Sequence, residues 1–438
     1  MAQRSETGEK RFAEYVARLG VAVGHADRLE PLRAYLTGLL LPGERKSVEP
    51  MAAKIDPRRV RARHQSMHHF VSQAPWDDGA LLRVARECAL QQFERHGGVV
   101  AWVVDDTGIP KKGTHSVGVA RQYCGVLGKQ DNCQATVSVS LANDALSVPA
   151  AYRLYLPEVW AKDEGRRAHA GVPPEVKFKT KWQIAVEQIH HLLMEGVAPA
   201  PVLADAGYGD TTDFREAITS LHLPYAVGIK PETTVWPPGR APLPPVPPKP
   251  GARGRPAKLV RRTAEHAPVA VAALATSLPR RSWHNIGWRE GTRGEMSSRF
   301  AAARIRPAHR DFKRSEPRPI EWLLIEWPAG ESEPTKYWFS TMPENMKLRD
   351  LVRLAKHRWI VERDYQELKQ ELGLGHYEGR GWRGFHHHAT LCIAAYGFLV
   401  AERSRFSPSA RAGQVDLPVA EMPRQFRPRG SPGALGAA

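Results

Sequence analysis

The clearest indication of the fold and of a functional site is the stretch Arg358-Trp-Ile-Val-Glu-Arg-Asp-Tyr-Gln-Glu-Leu-Lys369. It lies within a helical pattern that runs from about residue 347 to about residue 372. Apolar residues recur there every three or four positions and form one face: Leu354, Val361, Tyr365, Leu368 and Leu372. Arg358, Glu362 and Lys369 are spaced by four and seven residues, which predicts a single stripe at the margin of that face. A half-desolvated carboxylate between two cations suits metal ligation beside phosphates, and the alternative is an ordinary amphipathic helix with an ion pair.

The size and charge of the chain narrow the possible function classes. With 438 residues the chain exceeds one compact core, which predicts two or three domains. Its 63 Lys and Arg residues against 46 Asp and Glu residues give a net charge of +17, which indicates an anionic partner. Nucleic acid is the commonest partner of that kind, and a membrane surface is the weaker option.

Cysteine usage and hydropathy indicate where the protein is found. The 4 cysteines contain no CxxC pair, so we interpret them as free thiols in a reducing compartment, with a zinc site disfavoured. The amino-terminal residues lack the apolar core of a signal peptide. No uninterrupted apolar run reaches the roughly 18 residues of a membrane span. These features predict a cytoplasmic protein with no membrane partner.

Composition and periodicity divide the chain into five predicted regions. Residues 1–97 are predicted to form a helical domain, whose basic connecting segments either dock on DNA or cap the rest of the chain. Residues 98–230 alternate strands with helices, which predicts the first part of a mixed α/β sheet. A Pro-rich linker and an insertion of mostly β character occupy residues 231–334, and residues 335–404 return to the core. Residues 405–438 are rich in Pro, Arg, Gly and Ala, which predicts disorder.

Two apolar strands are each predicted to end in an acidic residue. The first, residues 99–104, is followed by Asp105, Asp106 and then Thr-Gly, and the second, residues 202–204, is followed by Asp205. A carboxylate at the end of a buried strand is costly unless a divalent cation or a basic pocket neutralises it. The alternative at the first strand is an Asp that only initiates a turn.

One further strand is predicted from strict alternation. Residues 134–141 alternate apolar side chains with Thr and Ser, which predicts a half-buried antiparallel strand. Residues 150–156 are predicted to be its hairpin partner.

Three carboxylates therefore come from separate elements of a mixed sheet. A set of this kind binds two divalent cations, which activate an attacking water or hydroxyl and stabilise the leaving oxygen in phosphoryl transfer. Oxygen ligands favour Mg²⁺ or Mn²⁺ over zinc. The positive charge of the chain fits a polyanionic substrate.

These motifs resemble those of the DDE transposases of bacterial insertion sequences, in the branch with a Tyr-x2-Arg-x3-Glu-x6-Lys signature. Arg358, Glu362 and Lys369 match that signature with its spacing intact, whereas its Tyr position holds Ala355. Residues 104–113 and 204–209 are similar to the family's other two motifs, and the resemblance covers roughly residues 30–400.

The resemblance implies a fold and a set of catalytic residues. The fold would be α/β, an RNase H-like mixed sheet flanked by helices, as in retroviral integrases. A helical domain would precede the sheet, and a mostly β insertion would separate the second Asp from the catalytic Glu. The triad of metal ligands would be Asp106, Asp205 and Glu362, with Asp105 as the alternative to Asp106. The cofactors would be two divalent metal ions, Mg²⁺ or Mn²⁺.

The resemblance also implies the partners and the course of the reaction. Hydrolysis of a phosphodiester at the end of the element would free a 3′-hydroxyl, which would then attack target DNA in a cut-and-paste process. Arg358 and Lys369 would hold phosphates of the element's ends, and Lys111 and Lys112 either contact DNA or form a solvated basic turn. The partners would be double-stranded DNA, as terminal inverted repeats and as target, and a second copy of the chain. The location would be the bacterial cytoplasm, in association with the nucleoid.

Two other functions agree with the same residues. One is an RNase H-like DNA endonuclease that serves another purpose. The other is a catalytically inactive DNA-binding protein derived from a transposase, which the Ala at position 355 and the arginine-rich tail leave open.

Overall fold

A computed structural model describes residues 7–246, 257–291 and 294–406 of the chain. The chain divides into two compact units, and each is described by itself. Among the described residues, the first unit comprises 7–198 and 359–406, and the second comprises 199–358. Part of the predicted Pro-rich linker, residues 247–256, and nearly all of the predicted disordered tail lie outside the described residues.

The first unit opens with five helices, as the sequence predicts for its amino-terminal region. They are α1 Gly8–Gly20, α2 Leu29–Leu40, α3 Val48–Ile55, α4 Val60–Ser72 and α5 Asp78–Arg95. Local capping sets two of their starts, because the Thr7 Oγ1 accepts from the Lys10 amide and the Asp77 Oδ1 accepts from the Ala80 amide. The apolar faces of these helices are buried at residues such as Leu19, Leu32 and Phe70.

Four strands form the sheet of the first unit. They are β1 Ala101–Pro110, β2 Ala120–Cys124, β3 Lys129–Ala142 and β4 Ser147–Leu154. β3 lies between β2 and β1 and also pairs with β4, and the β1, β2 and β4 pairings with β3 are all antiparallel. The strand predicted to end at residue 104 instead continues to Pro110, so Asp105 and Asp106 lie inside β1 rather than after it.

The prediction that β3 is half-buried is wrong. Its hydroxyl face is as buried as its apolar face, with Thr136, Ser138 and Ser140 all at most 1% exposed. Thr136 Oγ1 donates to the carbonyl oxygen of Thr107, and Ser138 Oγ donates to that of Asp105, both at 3.2 Å. Because Thr136 and Ser138 satisfy their hydroxyls on the neighbouring strand, burying these two side chains costs little.

Three more helices follow in the first unit: α6 Glu158–Ala161, α7 Glu164–His169 and α8 Lys181–Met194. A capping box starts α8, since Thr180 Oγ1 accepts from the Gln183 amide and Gln183 Oε1 accepts from the Thr180 amide.

The second unit is a mixed sheet with short helices. Its elements are β5 Val202–Ala204, α9 Ala206–Gly209, α10 Thr212–Ser220, β6 Tyr225–Ile229, β7 Thr234–Trp236, β8 Val269–Ala270, α11 Val271–Ser277, β9 His284–Gly291, β10 Gly294–Pro307, β11 Glu321–Trp327, β12 Lys336–Ser340 and α12 Leu348–Lys356. Its strand order is β5-β6-β12-β11-β10-β7-β8, with β9 paired to β10. β5 and β6 are parallel, whereas β6 and β12 are antiparallel, which makes the sheet mixed. The inserted segment is mostly β, as predicted.

The chain then returns to the first unit with α13 Trp359–Gln370 and α14 Trp382–Phe406. The prediction of one helix through residues 347–372 is wrong, because a turn at His357 and Arg358 separates α12 from α13. The His357 amide donates to the Leu354 carbonyl, three residues back, which closes the end of α12. Glu362 and Lys369 therefore share one helix, and Arg358 precedes it.

Among the described residues, no helix combines the length and the apolar character that crossing a membrane requires.

Candidate active site

The two acidic residues of β1 point to opposite faces of the first unit's sheet. Side chains alternate along a strand, and residues paired across an antiparallel ladder share a face. Asp105 is paired with Ser138 of β3, and Ser138 is paired in turn with Tyr152 of β4. Tyr365 of α13 belongs to the same cluster, because its electrostatic neighbours include Ser138, Tyr152 and Asp105. Burial in this cluster raises the pKa of the Tyr365 hydroxyl. Asp105 thus lies on the face that α13 covers.

Asp106 lies on the other face, which α8 covers. It is paired with Val137 of β3, and Val137 is paired with Arg153 of β4, which bonds the α8 residue Glu187 at 2.8 Å. The ammonium of Lys181, the first residue of α8, makes an ion pair with Asp106 Oδ2. Both side chains of this pair are about 30% exposed, so solvent screens it only partly.

Lys369 lies near both acids of β1. Burial lowers the pKa of its ammonium, while the Cys124 thiol and the carboxylates of Asp105 and Asp106 oppose that shift. A half-buried lysine beside two carboxylates is a local source of positive charge in a partly dry setting. The structure therefore brings together two of the motifs that the sequence singled out, the acids of β1 and the lysine of the helix signature.

Glu362 lies in the first turn of α13 and is exposed. It precedes Tyr365 by three residues and Lys369 by seven, which places all three on one side of the helix. A carboxylate in the first turn also interacts favourably with the helix dipole. Arg358 lies in the turn before the helix, within the second unit.

Asp205 belongs to the second unit, where it follows β5 directly and caps α9. Its Oδ1 accepts from the Gly207 amide at 2.9 Å, and its side chain is half-buried. β6 passes so close that a Cβ at Gly228 would lie 2.9 Å from the Ala206 amide nitrogen, so glycine is required there. A short strand, a capping acid and a close glycine fix the position of this carboxylate.

The predicted DNA contacts at the end of β1 differ from each other. The Lys111 ammonium donates to the Tyr377 carbonyl at 2.7 Å, and burial lowers its pKa to about 8 against the opposing charge of Glu378. Lys111 therefore anchors the segment after α13 rather than facing solvent. Lys112 is exposed.

A metal ion needs donor side chains that lie close together and suit its chemistry. Within the described ranges, no three His, Cys, Asp or Glu side chains form a group that could hold a metal. The predicted ligands are all carboxylates, and oxygen-only ligands are what Mg²⁺ and Mn²⁺ prefer. The chemistry of the donors fits either cation.

Sequence reasoning missed Lys181 and Tyr365. Lys181 occupies the first position of α8, where the helix dipole disfavours a cation. A lysine at such a position is a signal that an acid from another element compensates it. Tyr365 gave no such signal, because its apolar spacing alone accounts for its burial.

Two comparisons with known proteins found similarity to this chain. Residues 18–295 match the family described as DDE superfamily endonuclease, a range that includes β1, Lys181 and Asp205 and ends before Glu362. The chain is also 34% identical, over 167 residues, to a probable transposase for insertion sequence element IS701 from Microchaete diplosiphon. That alignment covers 38% of this chain and 40% of the relative, so the chain spans about two fifths of the relative's length.

Proposed function

The chain belongs to the DDE superfamily of endonucleases, and we propose that it is a DNA transposase. It would cleave phosphodiester bonds at the ends of a mobile element and join those ends to target DNA by cut-and-paste. The observation that carries the proposal is the position of Lys369 beside the carboxylates of β1, on the helix that also presents Glu362. The net charge of +17 supports a polyanionic substrate.

The proposed metal ligands are one acid of β1, Asp205 and Glu362. The geometry of the first unit favours Asp105 as the acid of β1, because Asp105 shares the face of α13. Asp106, which the motif resemblance prefers, is paired with Lys181 and remains the alternative. When bound, Mg²⁺ or Mn²⁺ would supply activation of the attacking oxygen and stabilisation of the leaving oxygen.

The proposed role of the basic residues is to hold phosphates. Lys369 would neutralise a phosphate next to the acids, since its ammonium is already partly desolvated there. Arg358 and Lys112 would contact the backbone of the element's end, and Lys111 would act indirectly by anchoring the Tyr377 segment. The proposed partners are terminal inverted repeats, target DNA and a second copy of the chain.

Strand cleavage of a labelled duplex that carries the element's own terminal repeat tests the proposal. With Mg²⁺ or Mn²⁺, the wild type should cut at the repeat end, and Glu362→Gln should lower the rate by roughly 10³-fold or more while DNA binding persists. Glu367→Gln is the matched control on the same helix, because Glu367 pairs with Arg363 and Arg403 and has no proposed catalytic role.

The other outcomes identify the competing functions. Cleavage that survives Glu362→Gln but is lost in Glu367→Gln would move the third ligand to Glu367. Binding without any cleavage by the wild type would support a catalytically inactive, transposase-derived protein, for which the Ala at signature position 355 is the specific observation. Cleavage without preference for the repeat would support an endonuclease of another purpose.

A further inference from the structure

The first unit contains a cavity of about 440 Å³ outside the proposed active site. Its walls come from α4, from the end of α7 and the turn after it, from the segment between α13 and α14 and from the first turn of α14. Besides alanines and glycines, the lining residues are His68, Ser72, His169, Tyr377, Arg380 and Arg383. A volume of this size is within the range of ligand-binding pockets.

The cavity is cationic. Its lining includes two arginines and two histidines and contains no Asp or Glu. The carboxylate nearest in sequence, Glu378, makes an ion pair with Arg45. Within the part of the chain that the structure describes, Arg380 is exposed and its guanidinium makes no ion pair. An uncompensated arginine in a concave site favours an anionic ligand.

The shape of the cavity is fixed by bonds that do not involve a ligand. The Val117 amide donates to the Arg380 carbonyl at 3.0 Å, and the Trp382 amide donates to the Ala170 carbonyl at 2.8 Å. Arg383 Nη1 donates to the Gln73 carbonyl at 3.0 Å, which holds the far wall. Because these bonds are within the protein, a ligand would meet a preformed site.

The wall beside Arg380 depends on two glycines. A Cβ at Gly379 or at Gly384 would overlap the Tyr377 hydroxyl, so both positions must lack a side chain. Because neither glycine has a side chain, the Tyr377 ring can pack between Gly379 and Gly384, and its hydroxyl reaches the wall of the cavity.

A basic surface of α4 leads into this cavity. Arg61, Gln65, His68 and Ser72 are spaced by four, three and four residues, which places them on one side of the helix. Val60–Ser72 contains no acidic residue, and the last two members of that series line the cavity. Arg61 is exposed, so the positive surface begins at the start of the helix.

We propose that the cavity binds one backbone phosphate of duplex DNA and that the exposed side of α4 contacts the phosphates next to it. This assignment rests on the proposed function, since it takes DNA as the substrate. A free phosphate would need only the cavity. The basic side of α4 extends beyond the cavity, which fits the successive phosphates of a DNA backbone. The contact is with the backbone and carries no sequence preference.

Equilibrium binding of the full chain to labelled duplexes, measured over a series of salt concentrations without a divalent metal, tests this. Each phosphate contact contributes about −0.9 to the slope of log affinity against log salt. Arg380→Gln should therefore make that slope less steep by about 0.9 and weaken binding by the same factor on a terminal-repeat duplex and on an unrelated duplex. Arg61→Gln should make the slope less steep by a similar amount. Arg95→Gln, which removes an exposed cation outside the cavity, should weaken binding less than either variant.

Other results would overturn the assignment. If Arg380→Gln, folded as judged by circular dichroism, behaves like Arg95→Gln, the cavity holds no DNA phosphate. If inorganic phosphate or a nucleoside monophosphate raises the melting temperature of the wild type but not of Arg380→Gln, with the DNA slope unchanged, the cavity is a site for free phosphate. Failure of the proposed function is seen separately, as a wild type that binds DNA through Arg380 yet does not cleave the repeat.

Discussion

At the scale of single residues, the two adjacent acids of β1 have different surroundings. Asp105 lies on the α13 face, and Asp106 pairs with Lys181 on the α8 face. Only one face can hold the metal ligand, so the two side chains should differ in what they contribute.

We predict that Asp105→Asn abolishes cleavage of the terminal-repeat duplex and leaves DNA binding intact. Asp106→Asn should lower cleavage by about 10- to 100-fold, as expected for a residue that orients the site without ligating the metal. Single-turnover cleavage with Mn²⁺ and with Mg²⁺ measures both variants. The reverse ranking, with Asp106→Asn inactive and Asp105→Asn only impaired, would make Asp106 the ligand.

The sequence could not decide between these two acids. It correctly predicted a buried apolar strand before them, and Trp102, Val103 and Val104 are fully buried. It placed the end of that strand at the acids, whereas β1 continues through them to Pro110. Once the strand continues, alternation separates Asp105 from Asp106, and which face carries the site depends on packing that only the structure shows.

At the scale of secondary-structure elements, the helix that carries Glu362 is held to α14 by a buried pair. The Tyr396 hydroxyl donates to Asp364 Oδ1 at 2.8 Å, and Asp364 is 3% exposed. Burial raises the Asp364 pKa to about 7, against the lowering effect of its bonds to Ser147 and Tyr396. Folding therefore favours the protonated Asp364 carboxyl, and a rise in pH ionises this carboxyl and leaves a buried negative charge on α13.

Asp364→Asn should stabilise the protein at alkaline pH and not at acidic pH. Because the folded-state pKa exceeds that of the unfolded chain, the folded state binds the extra proton between about pH 4 and 7 and stability falls as pH rises through that window. The penalty at pH 8 is on the order of 4 kcal/mol, and the amide removes it. Melting temperatures at pH 5 and pH 8 test this, and equal destabilisation of the variant at both would contradict it.

Periodicity predicted most elements but joined α12 and α13 into one helix, for a physical reason. The apolar spacing continues through the turn at His357 and Arg358, because α12 buries its face in the second unit and α13 buries its face in the first. The apolar pattern shows which side of the chain is buried. It cannot reveal a two-residue turn across which the three-to-four-residue spacing of apolar side chains continues. The mixed α/β fold itself was predictable, since it depends on long patterns rather than on single boundaries.

At the scale of the whole molecule, the first unit is built from the two ends of the chain. The Tyr15 hydroxyl of α1 donates to the Ala394 carbonyl of α14 at 2.8 Å. His388 joins three segments, because its Nδ1 accepts from the Tyr35 hydroxyl and its Nε2 donates to the Gly373 carbonyl, both at 2.9 Å. The bonds of Tyr15 and Tyr35 join residues more than 350 positions apart and leave no local signal in the sequence.

The His388 junction should make the first unit sensitive to acid. Burial lowers the His388 pKa to about 4, with Lys111 and His376 adding to the shift, and its two bonds suit a neutral ring. The unfolded chain therefore binds more protons between about pH 6.5 and 4, and stability is lost as pH falls through that window. His388→Gln, whose amide also donates and accepts, should reduce the slope of unfolding free energy against pH by up to about 1.4 kcal/mol per unit. Urea unfolding at several pH values measures the slope, with the exposed His69→Gln as the matched control. An unchanged slope in His388→Gln would mean that the ring is already charged in the folded state, and the acid lability would then belong to other buried groups of the unit.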